Sequence, residues 1–304
     1  MTSALPALLI QAFAEFFPQG NGAAVVLLDQ EADPGWMQAV AASFNQSETA
    51  FLLPCPDQRQ AEAPWALRWF TPSCEVPLCG HATLAAALAL VHWGVLPADS
   101  PTRLQTRSGP LEVAVHGTSP YSADLVMPTC PLQPCPLPQE LGHWLGVSPL
   151  KSWTSALGYG VALLPTSVDL AALDGPMVAR SLGVELSRGL VLMQAFADGV
   201  PRPTVLGAQA DYQLRFFAPG LGIAEDPVTG SAHALVAPWW CEWLGRSRVV
   251  GWQASRQGGG MVCEPQCSGM ILLTGAGQLV WDGVLKTGCA AGVPGEWRHC
   301  LNGG

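Results

Sequence analysis

The segment Leu67-Arg68-Trp69-Phe70-Thr71-Pro72 returns later in the chain as Leu214-Arg215-Phe216-Phe217-Ala218-Pro219. Each copy leads through a loop to a helix start built of small residues, Gly80-His81-Ala82-Thr83 in the first case and Gly230-Ser231-Ala232-His233 in the second. A short echo can arise by chance. A strand, a proline and a glycine-led helix repeated in the same order point to two copies of one folding unit. The chain has 304 residues, and single cores stop growing near ~250–300 residues, so two lobes are expected. The proline-rich run from Pro128 to Pro138 is the expected crossing between them, because proline fixes φ and interrupts both helix and central strand.

Within the copies the pattern alternates strands and helices. Residues 7–14 and 22–28 run apolar around Pro18-Gln19-Gly20-Asn21-Gly22, which supplies turn chemistry. Asp33 before Pro34 reads as an N-cap followed by proline at the first helical position, predicting a helix over 34–44. Ser47 to Leu53 and Leu67 to Phe70 read as strands, Gly80 to Trp93 as a helix rich in Ala and Leu, and 102–116 as paired strands. Further strands are expected at 122–127, 152–164, 189–196 and 212–217, with helices near 137–146 and 230–244.

Apolar residues make up 49% of the chain and charged ones 12%, which suits a large buried interior. The net charge of −9, with Lys and Arg totalling 14, leaves little to neutralise phosphates, so nucleic acid is not an expected partner. No apolar run reaches the ~18 residues that a membrane span needs. Met1 to Ile10 lacks the basic region of a secretory signal, making the cytoplasm the expected location. The ten cysteines include no CxxC pair, and no paired histidines stand near the closest of them, so reduced thiols are expected and zinc is not. Gly258-Gly259-Gly260 lacks the Lys-Ser or Lys-Thr of a phosphate loop. Trp239, Trp240 and Trp243 fall on the second of the two glycine-led helices, where packing is the ordinary role of aromatics.

A helix N-terminus offers free N–H groups and partial positive charge, so it can hold a carboxylate without lysine or arginine. Gly80 and Gly230, opening the two echoed helices, let a ligand approach the backbone. In Ser47-Glu48-Thr49-Ala50-Phe51-Leu52-Leu53, strand alternation sets Glu48 on a face with Ala50 and Leu52. Burial there would disfavour its charged form and suit proton exchange; the other reading is an edge glutamate in solvent or paired with Arg68. His81 directly follows the first glycine, and either reaches a site or bonds the backbone of its helix start. Asp226, four residues ahead of Gly230, either acts in chemistry or caps its loop. Cys79 precedes the first helix, but the second copy has Thr229 at that place, which removes a symmetrical two-thiol shuttle and favours a structural role.

Gly20-Asn21-Gly22-Ala23-Ala24-Val25, Ser47-Glu48-Thr49-Ala50-Phe51, Glu75-Val76-Pro77-Leu78-Cys79-Gly80-His81-Ala82-Thr83 and Glu225-Asp226-Pro227-Val228-Thr229-Gly230-Ser231-Ala232-His233 resemble the PhzF-like (phenazine biosynthesis-like) family. They appear in family order and spacing over nearly the whole chain. The resemblance implies an α+β, diaminopimelate-epimerase-like fold: two duplicated lobes, each a curved, mostly antiparallel sheet around a central helix, with the active site in the cleft between them. It divides the chain into residues 1–127, completed by a strand from about 285–304, and residues 128–284. It further implies a cofactor-free, metal-free isomerase or epimerase that moves a proton on a small anionic, carboxylate-bearing metabolite. Glu48 would be the general acid/base, His81 and Asp226 its catalytic companions, and Gly80, Ala82, Gly230 and Ser231 the substrate-binding residues. A homodimer is a frequent family state. The alternative is a non-catalytic member that kept the scaffold for metabolite or protein binding.

Two departures from the family pattern stand out. Gly22 replaces a proline common in relatives, an expected change of loop stiffness. The late segment Gly260-Met261-Val262-Cys263-Glu264-Pro265 lacks the arginine of a Gly-Arg-Pro-Ser stretch, which puts the family's anion site in question here.

Overall fold

The computed structural model describes residues 4–55, 65–117, 121–292, 297 and 300. The first part of the chain forms β1 (Leu5–Ala12), β2 (Asn21–Leu27), α1 (Pro34–Phe44), β3 (Glu48–Pro54), β4 (Trp65–Phe70), β5 (Glu75–Val76), α2 (Gly80–His92), β6 (Pro101–Thr106), β7 (Gly109–His116) and β8 (Tyr121–Pro128). There follow β9 (Gln133–Pro134), α3 (Gln139–Leu145), β10 (Lys151–Thr154), β11 (Gly160–Leu163), α4 (Gly175–Ser181), β12 (Leu190–Ala195), β13 (Thr204–Val205) and β14 (Ala208–Gln209). The last elements are β15 (Tyr212–Ala218), β16 (Ile223–Asp226), α5 (Gly230–Leu244), β17 (Val249–Gln253), β18 (Gly259–Pro265) and β19 (Met270–Leu285). They form two compact units, residues 1–127 with 274–304, and residues 128–273. The return to the first unit thus begins at Thr274, inside β19, ahead of the expected residue 285, and much of the strand expected over 285–304 lies outside the described residues.

In the first unit β1 pairs antiparallel with β2, β2 parallel with β3, β3 antiparallel with β4, β4 parallel with β6, and β6 to β8 antiparallel in turn. Because β19 pairs with both β1 and β8, the sheet closes on itself. It packs on α2, which touches β1, β2, β3 and β7. Apolar all round and free of β-branched residues until Thr83 and Val91, α2 has the composition of a core helix, and every residue from His81 to Leu90 is buried. The other face of β2, β3 and β4 is covered by α1, whose Met37, Val40 and Ala41 pack with Val26, Phe51 and Phe70. Cover on both faces explains why β3 is buried from Glu48 through Leu53, where alternation alone predicts one apolar face.

The second unit repeats this plan. β10 is antiparallel to β11, β11 parallel to β12, β12 antiparallel to β15, β15 parallel to β17 and β17 antiparallel to β18. The ladder directions follow those of β1 to β7, with α4 placed in sequence like α1 and α5 like α2. Asp33 accepts from Trp36 N at 2.9 Å to cap α1, and Asp174 accepts from Met177 N at 2.9 Å to cap α4. Within the echoed segments, Arg68 forks onto Glu75 at 2.8 and 2.9 Å, and Arg215 onto Glu225 at 2.6 and 2.7 Å. These buried guanidinium forks tie β4 to β5 and β15 to β16.

Three expectations change. The single strand read over 152–164 is two strands, β10 and β11, separated by a turn in which Gly158 takes φ +76°. Gly22 is the second residue of β2, paired with Gln11, so its replacement of proline changes a ladder position rather than a loop. α4 and the strands β17, β18 and β19 went unread, since their residues mix glycine and polar side chains with the apolar ones. The glycine run at 258–260 makes the hairpin into β18, and a Cβ on Gly260 would lie 2.5 Å from Gly251 O. Among the described residues no helix is long and apolar enough to cross a membrane, and the ten cysteines are all free thiols.

α5 contains Pro238, which has no N–H to give the carbonyl of Ala234 one turn earlier. Thr129 Oγ1 donates to that oxygen instead, at 2.6 Å. Thr129→Val should therefore strand a carbonyl and cost about 1–3 kcal/mol. A urea titration checks this: the midpoint should fall at unchanged slope, and an unmoved midpoint would mean that the threonine is dispensable.

Candidate active site

In the first unit the pairing of Ala23 with Glu48 brings the start of β3 beside β2. Glu48 is 6% exposed, and its Oε2 lies in a 2.9 Å ion-pair contact with Nε2 of His81, the second residue of α2, itself 4% exposed. Asn21 Nδ2, at the start of β2, is 3.2 Å from His81 Nδ1, and Cys79 Sγ is 3.4 Å from the same nitrogen. His81 thus bonds side chains rather than the backbone of its helix start. Arg68 is engaged by Glu75, not by Glu48. Burial pushes the Cys79 thiol up to about 11, with the Glu48 charge adding to it, so the thiol keeps its proton at neutral pH. Burial also opposes charge on His81, yet its value is raised well above the usual histidine range by Cys79 and Glu48. With the thiol protonated, the Glu48 carboxylate is the partner that holds the charge on the imidazole. Cys79 is the N-cap of α2 without a cap hydrogen bond of ordinary geometry, though its sulfur sits at the Ala82 N–H, leaving those of Gly80 and His81 uncapped by a side chain.

In the second unit Asp226, 7% exposed, ends β16 and accepts from Thr229 Oγ1 at 2.6 Å. Fully buried Gln253, at the end of β17, donates from Nε2 to Asp226 O at 2.5 Å and accepts from Thr229 N at 2.8 Å. Ser255 Oγ adds a bond to Pro227 O at 2.7 Å. This latch fixes the approach to α5. Because the Thr229 hydroxyl is turned to Asp226, α5 also begins without a side-chain cap, at Gly230 and Ser231. Ser231 Oγ lies 3.4 Å from the hydroxyl of Tyr159. Asp226 therefore helps to organise the loop ahead of α5.

Asn21, Gln253 and Tyr159 were missed as candidates from sequence. Asn21 reads as a turn residue and Gln253 lies in a stretch assigned to no element, and only the ladder registers bring them beside His81 and Asp226. Glu48, Cys79 and His81 hold one ligand-type atom each within 4.8 Å of one another, a trio that geometry alone would allow a cation.

A family model described as phenazine biosynthesis-like protein matches residues 10–138 and 194–268, which contain Asn21, Glu48, Cys79, His81, Asp226, Ser231 and Gln253. The chain belongs to the PhzF family. It is 35% identical over 270 residues to an uncharacterized isomerase of Halalkalibacterium halodurans, covering 88% of this chain and 94% of that protein. The PhzF-family phenazine biosynthesis protein of Enterococcus faecalis superposes with a TM-score of 0.78 at 30% identity, over 93% of this chain and 99% of that one. A hydroxyproline epimerase of Agrobacterium vitis shares the fold, with a TM-score of 0.60 at 12% identity over 99% of this chain and 100% of that one. This PhzF-family chain thus has the α+β, epimerase-like fold expected of it, and its relatives carry isomerase names.

Proposed function

We propose that this PhzF-family protein is a cofactor-free isomerase or epimerase that moves a proton on a small carboxylate-bearing metabolite. Glu48 takes a proton from carbon, leaving an enolic state, and returns it at the new position. One observation carries the reading: Glu48 is a buried carboxylate in contact with an imidazole at the start of α2. A positioned carboxylate can take a proton from carbon and return one, and exchange of the resulting acid with solvent between the two steps makes the transfer traceable in heavy water. His81 balances the charge as Glu48 ionises and protonates. Gly80 and Ala82 on α2 are assigned to substrate binding in the first unit, and Gly230 and Ser231 on α5 in the second, because each helix presents backbone N–H groups at a glycine-led start. Asp226 is assigned a catalytic role beside Ser231 through the loop that Gln253 fixes.

Incubation in heavy water with a panel of small carboxylates should wash deuterium into the substrate at the migrating position. Treatment with a chelator should leave the rate unchanged, and a rate abolished by chelation and restored by a divalent cation would replace this mechanism with a metal-assisted one. Carboxylates that stabilise the protein without any exchange would favour the non-catalytic alternative.

A further inference from the structure

The ladder registers align the two units residue by residue. Thr49 pairs with Phe70 in the first unit and Leu190 with Phe217 in the second, and Phe70 and Phe217 occupy the same place in the echoed segment. The residue before each, Glu48 and Gly189, is therefore equivalent. By the same registers, Ala23 beside Glu48 corresponds to Tyr159, since Ala24 pairs with Thr49 and Gly160 with Leu190. The two units are thus mirror solutions in side-chain size. The first has a small residue on β2 and the carboxylate on β3; the second has a large polar residue before β11 and a glycine before β12.

Gly189 makes room for the tyrosine, since a Cβ there would lie 2.4 Å from Tyr159 Cδ1. Gly158 returns the favour to Arg188, whose Cδ would lie 2.8 Å from a Cβ at 158. Each strand entry seats the side chain of the other, which sets the stem of Arg188 across Gly158, next to Tyr159. The ring also packs on Phe216, with centroids 4.8 Å apart, and its hydroxyl points to Ser231, the equivalent of His81. Burial holds the phenol above its ordinary range, so it remains a donor. The tyrosine hydroxyl sits between the Asp226 carboxylate and the Arg188 guanidinium, both of which act on it, while Arg188 is exposed and has no ion pair among the described residues.

We infer that Tyr159 and Arg188 are specificity-determining residues of the second unit, the phenol donating to a carboxylate oxygen of the substrate and the guanidinium supplying its countercharge. The inference rests on the carboxylate part of the proposed function but not on the proton transfer.

Calorimetric titration at constant ionic strength, with benzoate as the charged probe and benzamide as its neutral match, tests it. The wild type should bind benzoate more tightly than benzamide. Arg188→Met should lose at least about tenfold in benzoate affinity and leave benzamide unchanged, as removal of a charge-assisted contact requires. Tyr159→Phe keeps the ring on Gly189 and should weaken benzoate by a smaller factor; Gly189→Ala should do the same by expelling the ring. Because the titration reads affinity and not exchange, failure of the proton shuttle leaves it unmoved, which separates failure of the proposed chemistry from failure of this pair. Benzoate affinity unchanged in Arg188→Met and Tyr159→Phe overturns the inference, as does a wild type that does not prefer benzoate to benzamide.

Discussion

Glu48→Gln should lose solvent-hydrogen exchange and turnover by roughly 10²–10⁴-fold, the range that a positioned general acid or base contributes. Glutamine has nearly the same volume and keeps an oxygen for the His81 contact, so the buried cluster of Asn21, Cys79 and His81 should stay packed. A thermal midpoint close to wild type, together with lost exchange, is the expected signature. Glu48→Asp withdraws the carboxylate by one methylene and should retain part of the rate, because the group remains ionisable though set back. If Glu48→Gln exchanges deuterium at the wild-type rate, position 48 does not carry the proton, and the proposed chemistry fails at its centre.

A loss of stability in mild acid is expected from the core of the second unit. His233 is fully buried on α5, its Nδ1 is 2.9 Å from the hydroxyl of Tyr212, and its Nε2 has no partner among the described residues. Burial lowers its value from 6.5 to about 3. A histidine depressed on folding is neutral in the native state while the unfolded chain takes up a proton below its own pKa. Stability should therefore be intact above about pH 6.5 and fall as the pH drops from there toward 3, at up to about 1.4 kcal/mol per pH unit. Between pH 7 and pH 5 the loss is on the order of 2 kcal/mol. Neighbouring Tyr212 and Cys263 are both pushed upward by burial and hold their protons throughout this window. Urea midpoints measured for the wild type and His233→Gln across this range isolate the contribution: the variant should show the shallower slope. Parallel slopes would place the acid sensitivity elsewhere.

Much of the first unit was legible because its signals are local. Asp33-Pro34 sets the start of α1 through a cap and a fixed φ, and the Ala/Leu composition of α2 marks a helix buried on all sides. Glu48 stood out as a charged residue in an apolar strand. What stayed hidden is what only pairing decides. Nothing near Asn21 in sequence announces a contact with His81, 60 positions away. Gln253 carries no signal of its own until β17 lies parallel to β15 and presents it to the Asp226 loop. Tyr159 was absorbed into a strand that runs too long, because the turn ending at Gly158 depends on a left-handed glycine rather than on a proline. The Arg68 and Arg215 forks fall between these cases: the echoed segments showed the arginines, but the spacing to Glu75 and Glu225 differs between the copies.

The closed sheet of the first unit has a consequence for biosynthesis. β1 and β8 both wait for β19, which leaves the ribosome only after the whole of residues 128–273. Until then the nascent chain carries two open strand edges, each free to pair with a neighbouring polypeptide. The continuous second unit can condense first, and the earlier-made unit is completed last. A circular permutant that moves β19 ahead of β1 would remove this delay, and should refold with less aggregation than the natural order of the same strands.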